Sequence, residues 1–327
     1  MIQPYELKLN LPMEVGNRER SSTGRVWQIL SASCNGDLSH IKQLVAECPG
    51  LIYAQYNYAP PIHFAVREGH IELVKYLLDN GAHDPIYRFY PFLDSMQTVA
   101  DDRGYTEIVA LLDEYAANPS MQKYNGDNGR IFYIRNTEQK IFEKAVDQNN
   151  LKKTAQILKV HPEFALDNTF FWSEGILLSP AKRNRREMID LLMSYGATVP
   201  DLLKWTQFYY FELYEGAEYI MEKGMNPNVM SWQRVTILHD MAQKGFIDKA
   251  KLLIKYGADI DLIDEAYQST PLGLAARWGR RDMVECLLEQ GADPNKSGAA
   301  WSKPLVWAKR KRHEEVAEIL TRHGAVE

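Results

Sequence analysis

The sequence predicts an all-α fold in which short helix–turn–helix units recur with a fixed period, typically about 33 residues, and stack into a solenoid. Three glycines, each followed by alanine, recur at a nearly constant interval: Gly257, Gly291 and Gly324. A turn position precedes each of them by the same step, at Gly245, Gly279 and Arg312. Because a fixed period of this kind is typical of repeat architectures, we expect copies of one unit to stack along the chain.

The residues of a single unit predict its two helices. The apolar residues of one segment fall at helical spacing and mark one face: Met283, Val284, Leu287 and Leu288. Gly291 follows, and glycine readily adopts the left-handed conformation that ends a helix. At the other end, Thr270 can cap the free amides of a first helix, and Pro271 suits the first helical position. Each unit is therefore predicted to be helix, tight turn, helix and long loop.

Along the chain we predict about eight or nine units in two groups. Residues 1–24 match no unit and are expected to cap the first one, with a short strand in which Tyr5, Leu7, Leu9 and Leu11 alternate. Residues 25–117 hold about three units. Residues 118–136 are rich in Asn and Gly and predict an inserted loop or ribbon. Residues 137–327 hold five or six units, of which the one near 206–234 is degenerate and lacks a recognisable first helix.

Three segments carry a resemblance to a known family. They are TPLGLAARWG from Thr270, CLLEQGADPN from Cys286, and PPIHFAVREGHIELVKYLLDNGA from Pro60. These segments resemble the ankyrin repeat, whose unit reads roughly TPLHxAAxxGHxxxVxxLLxxGADxN. The resemblance implies a stand-alone ankyrin-repeat domain protein that binds other proteins. It also implies that His63 and His239, at the histidine of TPLH, are structural residues whose rings link neighbouring loops; His70 and His313, after the turn, are interpreted in the same way.

Composition and charge exclude several classes of protein. Hydrophobic residues make up 45% of the chain and charged residues 25%, which excludes disorder and collagen. A net charge of −5 does not favour nucleic-acid binding through bulk charge. The three cysteines are scattered without metal-ligand spacing, and no secretory signal or long apolar run is present. We therefore expect a monomeric cytoplasmic protein that does not enter a membrane.

The sequence offers no motif for catalysis. It contains no nucleophile elbow, no HExxH and no glycine-rich phosphate loop. No two histidines stand at helical ligand spacing. We expect no enzymatic activity, no cofactor and no metal.

The resemblance also implies which residues face a partner. In ankyrin repeats the two residues before the turn point into a concave groove, and loop tips extend the same surface. From residue 182 onward these groove positions carry six cations and no acid. The candidate partner-binding residues are Lys182, Arg183, Lys244, Arg277, Trp278, Arg310 and Lys311 in the groove, and Trp232, Tyr267 and Trp301 at loop tips. We expect this half of the groove to bind an acidic or phosphorylated segment of another protein, with Arg277, Arg310, Lys311 and Trp278 as its main contacts.

Two alternatives remain open at this point. The aromatic residues of 170–215, with the cations of 182–186, either fill the space of the missing helix or form a pocket for a small ligand or a reaction. The cluster KRKRH at 309–313 is weak support for nucleic-acid binding, because it is short and the protein is acidic overall. Whether the protein is an adaptor or an inhibitor is not written in the sequence.

Overall fold

The computed structural model describes residues 1–89, 92–124, 130–131, 135–204 and 209–327. The helices are α1 (Tyr5–Lys8), α2 (Thr23–Asn35), α3 (Leu38–Glu47), α4 (Pro61–Glu68), α5 (Ile71–Asp79), α6 (Met96–Asp102), α7 (Thr106–Ala117), α8 (Thr137–Asp147), α9 (Leu151–Val160), α10 (Phe170–Ser173), α11 (Leu178–Lys182), α12 (Arg186–Ser194), α13 (Tyr214–Glu222), α14 (Ile237–Lys244), α15 (Ile247–Lys255), α16 (Pro271–Arg277), α17 (Arg281–Glu289), α18 (Pro304–Arg310) and α19 (Glu314–Arg322). The strands are β1 (Pro12–Val15), β2 (Glu19–Ser22), β3 (Arg130–Ile131), β4 (Leu202–Leu203) and β5 (Met230–Ser231). Short 3₁₀ turns cover Gly16–Arg18, Pro49–Tyr53, Pro119–Met121, Pro162–Leu166 and Ala300–Ser302.

The chain divides into two units, which we name by position. The N-terminal unit is residues 3–134, and the C-terminal unit is residues 135–327 with Met1 and Ile2. In the N-terminal unit the first helices α2, α4 and α6 pack in succession, and the second helices α5 and α7 do the same. In the C-terminal unit the first helices α14, α16 and α18 pack in succession, as do the second helices α15, α17 and α19. The predicted all-α repeat solenoid is confirmed.

The helix ends follow the predicted chemistry. The Thr270 hydroxyl accepts a hydrogen bond from the Gly273 amide at 3.2 Å. Pro271 occupies the first position of α16, where its missing amide hydrogen costs no helical bond. Gly245 closes α14 with a φ of 76°, a left-handed conformation that glycine adopts without a Cβ penalty. Arg312 holds the equivalent turn after α18 with a φ of 60°, so this position accepts an arginine at the cost of backbone strain.

The start of the N-terminal unit differs from the prediction. Residues Tyr5–Lys8 form helix α1 instead of a strand, and the strands β1 and β2 follow as an antiparallel hairpin. Leu7 is buried, whereas Tyr5 and Leu9 are exposed. In a strand these three side chains would share one face, so the alternation does not describe a buried strand face. Helix α1 packs against α2, the first helix of the first pair.

The predicted insertion contributes one strand to the N-terminal unit. β3 pairs antiparallel with β1, with Ile131 opposite Met13, and gives a sheet of order β2-β1-β3. Asn118 begins the segment, and its side chain accepts a hydrogen bond from the Ser120 amide at 3.2 Å. Residues 125–129 and 132–134 of the insertion lie outside the described residues. The boundary between the two units falls at the end of this segment.

The degenerate repeat of the C-terminal unit keeps one helix. Helix α13 contacts α11 on one side and α15 on the other. Strand β4, which precedes α13 in the chain, pairs in parallel with β5, with Leu202 opposite Met230. Residues 205–208 are not described. A Cβ at Gly216 would overlap the carbonyl oxygen of Ala181, so glycine at this position allows α13 to approach α11.

Met1 and Ile2 lie against the loops of the C-terminal unit. The terminal ammonium of Met1 is 2.9 Å from the Glu265 carboxylate, and the Ile2 amide donates to the carbonyl of Trp232 at 2.9 Å. Among the described residues, no helix has the length and apolar character needed to cross a membrane.

Candidate functional site

The histidines of the repeats hold neighbouring loops and helix ends together. His239 is fully buried: its Nδ1 lies 2.7 Å from the Thr236 hydroxyl, and its Nε2 donates to the carbonyl of Ser269 in the next loop at 3.1 Å. Burial lowers the pKa of His239. His63 is also buried, and its Nδ1 lies 2.7 Å from the hydroxyl of Tyr87 in the next loop. The predicted structural role of both residues is confirmed.

The histidines that follow the turns form hydrogen bonds with backbone carbonyls of the preceding repeat. The Nε2 of His70 donates to the carbonyl of Cys34 at 2.9 Å, and that of His313 donates to the carbonyl of Arg277 at 3.1 Å. Both bonds span 36 residues. Each therefore joins the start of one second helix to the end of the preceding repeat's first helix, which agrees with the predicted structural role of these histidines. In the part of the chain that is described, no group of three or more His, Cys, Asp or Glu side chains is arranged to hold a metal ion.

Three of the six predicted groove cations are neutralised by carboxylates. Lys182 lies 2.9 Å from Glu212, and Arg183 lies 2.9 Å from Asp147. Lys244 lies 2.9 Å from Asp240, which is itself nearly buried. The hydrogen bond from Ser179, together with the charge of Arg183, lowers the pKa of the Asp147 carboxyl. The positive charge expected in this part of the groove is therefore partly offset by neighbouring carboxylates.

Arg277 is buried among aromatic rings. Its side chain is 5% exposed, and its guanidinium carbon lies 4.6, 4.5 and 4.6 Å from the ring centres of Tyr267, Trp278 and Trp307. A guanidinium this close to three ring faces gains cation–π attraction that burial strengthens. The expectation that Arg277 offers its charge directly to a partner is wrong, since its charge is directed into the protein. Its structural effect is to hold the three rings together.

Hydrogen bonds from buried loop residues hold the rings around Arg277 in place. Trp307 is fully buried, and its indole N–H donates to the Ser269 hydroxyl at 3.1 Å. That hydroxyl in turn donates to the carbonyl of Ser302 at 3.2 Å. The buried carboxylate of Asp264 accepts hydrogen bonds from the amides of Tyr267 and Ser269 at 2.6 and 3.1 Å. Two successive loops are therefore tied to the rings that they carry.

Two predicted loop-tip contacts are core residues. Trp232 and Tyr267 are each 1% exposed, so neither side chain is available to a partner. The Tyr267 ring meets Trp278 at 5.9 Å and Trp307 at 6.1 Å, both edge to face. The expectation for Trp232 and Tyr267 is wrong because these loops fold back over the helix ends, where a large ring gains more by burial than by exposure.

The remaining candidates lie together at the end of the C-terminal unit. Trp278 and Trp301 are half-buried, and Trp301 meets Trp307 at 5.7 Å. Arg310 is exposed and Lys311 is half-buried, with their cations 5.8 and 5.6 Å from the Trp307 ring centre. We name Trp278, Trp301, Arg310 and Lys311 the aromatic–basic patch. It consists of two partly exposed rings and two cations, which lie over the buried side chains of Arg277 and Trp307.

The described aromatic residues of 170–215 mostly fill the core. Phe170, Tyr210 and Phe211 are at most 1% exposed, and Phe171 is 8% exposed. The Tyr210 hydroxyl donates to the carbonyl of Glu174 at 2.6 Å. Trp172 and Tyr214 are exceptions, at 65% and 38% exposed. This supports the packing interpretation of the segment; residues 205–208 of it lie outside the described residues.

The N-terminal unit contains a cavity that the sequence did not predict. It has a volume of about 460 Å³ and lies among the loops of the second and third repeats. Its lining residues are Tyr53, Gln55, Tyr58, Pro60, Ala82, His83, Asp84, Tyr87, Arg88, Leu93, Met96 and Tyr124. The one available signal was the density of tyrosines in loops, where packing against a helix does not explain them.

Comparisons with known proteins agree with this architecture. A model described as "Ankyrin repeats (3 copies)" matches residues 206–298 and 238–327, and a model described as "Ankyrin repeat" matches residues 57–88. Rat "Palmitoyltransferase ZDHHC17" is 36% identical over 95 residues, 29% of this chain and 15% of that protein. Human "Palmitoyltransferase ZDHHC13" is 32% identical over 111 residues, 34% of this chain and 17% of that protein. "Ankyrin repeat protein nuc-2" of Neurospora crassa is 38% identical over 84 residues, 25% of this chain and 8% of that protein.

Stacked helix pairs joined by buried histidines, with rings and cations at the ends of the first helices, define a helical-repeat protein of the kind that binds other proteins. The chain belongs to the ankyrin-repeat family. Ankyrin repeats are protein–protein interaction modules. The chain spans less than a fifth of the length of the three relatives named above, so the likeness extends to that part of each relative only.

Proposed function

We propose that the C-terminal unit binds an acidic or phosphorylated segment of a partner protein, and that the aromatic–basic patch makes the main contact. The observation that carries the proposal is the buried Arg277, which holds three rings in place beneath two cations. When side chains of a binding surface are already held in place, less conformational entropy is lost as a partner binds. Trp and Arg are also the residue types that most often dominate binding energy at protein interfaces.

The charges of the patch support an acidic partner. Arg310 and Lys311 place two neighbouring cations above an aromatic ring. Arginine can bind a carboxylate or phosphate through two parallel hydrogen bonds, which adds directionality to the charge. Earlier in the groove, Lys182, Arg183 and Lys244 each lie 2.9 Å from a carboxylate.

The proposal narrows the surface expected from the sequence. Trp232, Tyr267 and Arg277 act from within the fold, where they shape the surface without touching a partner. Lys182, Arg183 and Lys244 lie at the ends of α11 and α14, in earlier repeats than the aromatic–basic patch. Trp278, Trp301, Arg310 and Lys311 remain as the contacts, and they span the last two repeats.

A peptide-binding experiment tests the proposal. Three fluorescently labelled peptides of equal length are titrated by anisotropy: one rich in Asp and Glu, one carrying phosphoserines, and one with neutral Ser and Gln. The double variant Arg310→Glu with Lys311→Glu is expected to weaken binding of the two anionic peptides at least about tenfold, which corresponds to about 1.4 kcal/mol. Trp278→Ala is expected to weaken both by a similar factor.

The matched control carries the same change of charge on second helices. Lys255→Glu with Arg322→Glu changes two exposed cations on α15 and α19. It is expected to change affinity less than about threefold at about 0.15 M salt, where charges beyond about 8 Å are largely screened. Equal loss in both double variants, or equal binding of anionic and neutral peptides by the unaltered protein, would refute the proposal.

A further inference from the structure

The cavity of the N-terminal unit has the features of a binding site. Its volume of about 460 Å³ lies within the range of small-molecule pockets, roughly 300 to 1,000 Å³. It is formed by loops of successive repeats, whereas the aromatic–basic patch belongs to the C-terminal unit. Any role of this cavity is therefore independent of the proposed function.

Aromatic rings make up much of its wall. Four tyrosines line it, at positions 53, 58, 87 and 124, and the rings of Tyr53 and Tyr124 meet edge to face at 6.0 Å. Leu93 and Met96 add apolar surface. Tyr58 is 57% exposed, so it stands at the opening of the cavity. Rings of this kind favour a flat ligand that can stack or pack edge to face.

A buried histidine supplies the polar element. His83 lines the cavity and is 6% exposed, and its Nδ1 has no hydrogen-bond partner among the described residues. Its backbone is held in place, because the Tyr115 hydroxyl donates to the His83 carbonyl at 3.3 Å. A buried polar atom without a partner is destabilising, and a bound ligand recovers that loss by forming the missing hydrogen bond.

The charges around the cavity favour an uncharged ligand. Burial lowers the pKa of His83 to about 4, with Asp84 opposing and Arg88 adding to the shift, so the imidazole is neutral at pH 7. Asp84 and Arg88 are the two charged residues among those that line the cavity, and their charges are opposite. Gln55 and the tyrosine hydroxyls are neutral donors and acceptors. Because these two charges are opposite, the wall as a whole attracts neither cations nor anions, whereas a charged ligand would lose its hydration on entering.

We propose that this cavity binds an uncharged planar ring that carries hydrogen-bonding groups at its edge, as a heteroaromatic small molecule does. The ring packs against the tyrosines, and its edge hydrogen-bonds with His83. The same chemistry can be carried by a free molecule or by an aromatic side chain of a peptide. The experiment separates these two sources.

Ligand-observed saturation-transfer NMR on the full chain tests the proposal at millimolar ligand. The probes are indole and adenosine as free rings, N-acetyl-tryptophanamide and a capped Gly-Trp-Gly peptide as peptide-borne rings, and cyclohexanol and benzoate as non-planar and charged controls. Binding of at least one uncharged ring, with little binding of cyclohexanol or benzoate, is expected. Binding by the free rings identifies a small molecule as the source, and binding by the tryptophan compounds alone identifies a peptide.

Two substitutions place the binding in the cavity. Tyr58→Ala removes an exposed ring at the opening and is expected to weaken binding at least fivefold. Tyr5→Ala is the matched control, since Tyr5 is 56% exposed in α1 and does not line the cavity. His83→Leu is expected to weaken binding of the uncharged rings that carry hydrogen-bonding groups, and benzene, added here as a ring without such groups, is expected to be affected less. No binding of any uncharged ring, or equal binding by the unaltered protein and the Tyr58→Ala variant, would overturn the proposal.

Discussion

His239 belongs to a residue type that is common in catalysis, but in this protein its ring has a structural role and links two neighbouring loops. Both ring nitrogens lie within hydrogen-bond distance of groups of its own loop and the next one, Thr236 and Ser269. The ring is fully buried, which lowers its pKa and keeps it neutral. It acts as a bridge between repeats, with no group left to transfer a proton to a ligand.

His239→Ala is expected to lower the free energy of unfolding around α14–α16 by about 2 to 3 kcal/mol, because the variant leaves the Ser269 carbonyl without its donor and opens a cavity in the core. Native-state hydrogen exchange of the amides in these helices measures the loss. His323→Ala is the control, since that exposed ring bonds only to Ile319 one turn earlier, and it is expected to stay within about 0.5 kcal/mol. Equal losses in both variants would contradict the bridging role.

Arg277 and Arg310 show why the position of a residue within its repeat does not by itself predict whether its side chain is exposed. It occupies the same place in its repeat as Arg310, just before the turn glycine or its substitute. Arg310 is exposed, whereas Arg277 is 5% exposed because the loop that carries Tyr267 and the next repeat's Trp307 both cover it. The covering residues belong to another loop and another repeat, so no local pattern reports them.

At the scale of elements, the described residues of the degenerate repeat contain helix α13, and a two-stranded contact adjoins it. Helix α13 packs against α11 and α15, and Leu202 and Leu203, which precede α13, pair in parallel with β5. The sequence predicted a repeat near 206–234 without a recognisable first helix, and residues 205–208 lie outside the described residues. It did not reveal the strand pairing, because so short a strand has no periodicity to detect.

Gly216→Ala is expected to destabilise α13 by about 1 to 2 kcal/mol, the balance of two opposing effects. Alanine in a helix interior gains about 1 kcal/mol of helix propensity over glycine. The added Cβ overlaps the Ala181 carbonyl oxygen, and a backbone atom cannot rotate away, so overpacking of up to about 3 kcal/mol outweighs that gain. Thermal unfolding followed by circular dichroism, with hydrogen exchange of α13, measures the effect.

Gly224→Ala is the matched comparison for this substitution. Gly224 ends the same helix with a φ of 92°, and its Cβ would meet open space, so it reports backbone strain alone at about 1 kcal/mol. Loosening of α11 is expected in Gly216→Ala and not in Gly224→Ala. A stabilised Gly216→Ala variant would show that α13 and α11 do not approach as described.

At the scale of the whole molecule, stability is distributed along stacks of repeats. The first helices α14, α16 and α18 pack in sequence, and so do α15, α17 and α19. Each repeat buries its apolar face mainly against its neighbours, so the energy of the C-terminal unit is close to a sum over adjacent pairs. The aromatic–basic patch lies on the last two of these repeats and depends on their stacking.

Leu287→Ala in α17 is expected to cost about 3 kcal/mol, because the side chain is fully buried. In a stack with nearest-neighbour coupling, hydrogen-exchange protection should fall most in α16–α19, less in α14 and α15, and least in α8 and α9. Glu289→Ala, an exposed change on the same helix, is the control. A uniform loss of protection over the whole C-terminal unit would show that the repeats unfold as one block.

The sequence by itself determined the class of fold, the repeat period, the helix boundaries set by glycine, threonine and proline, and the structural role of the histidines. These properties depend on residues within one repeat or at a fixed spacing between repeats, and the same pattern recurs in several repeats. Only the tertiary structure decided that Trp232, Tyr267 and Arg277 are buried, that Lys182, Arg183 and Lys244 are paired with acids, and that tyrosines of separate loops enclose a cavity. Exposure and pairing depend on which loop covers which helix end, and that depends on contacts between residues far apart in the chain.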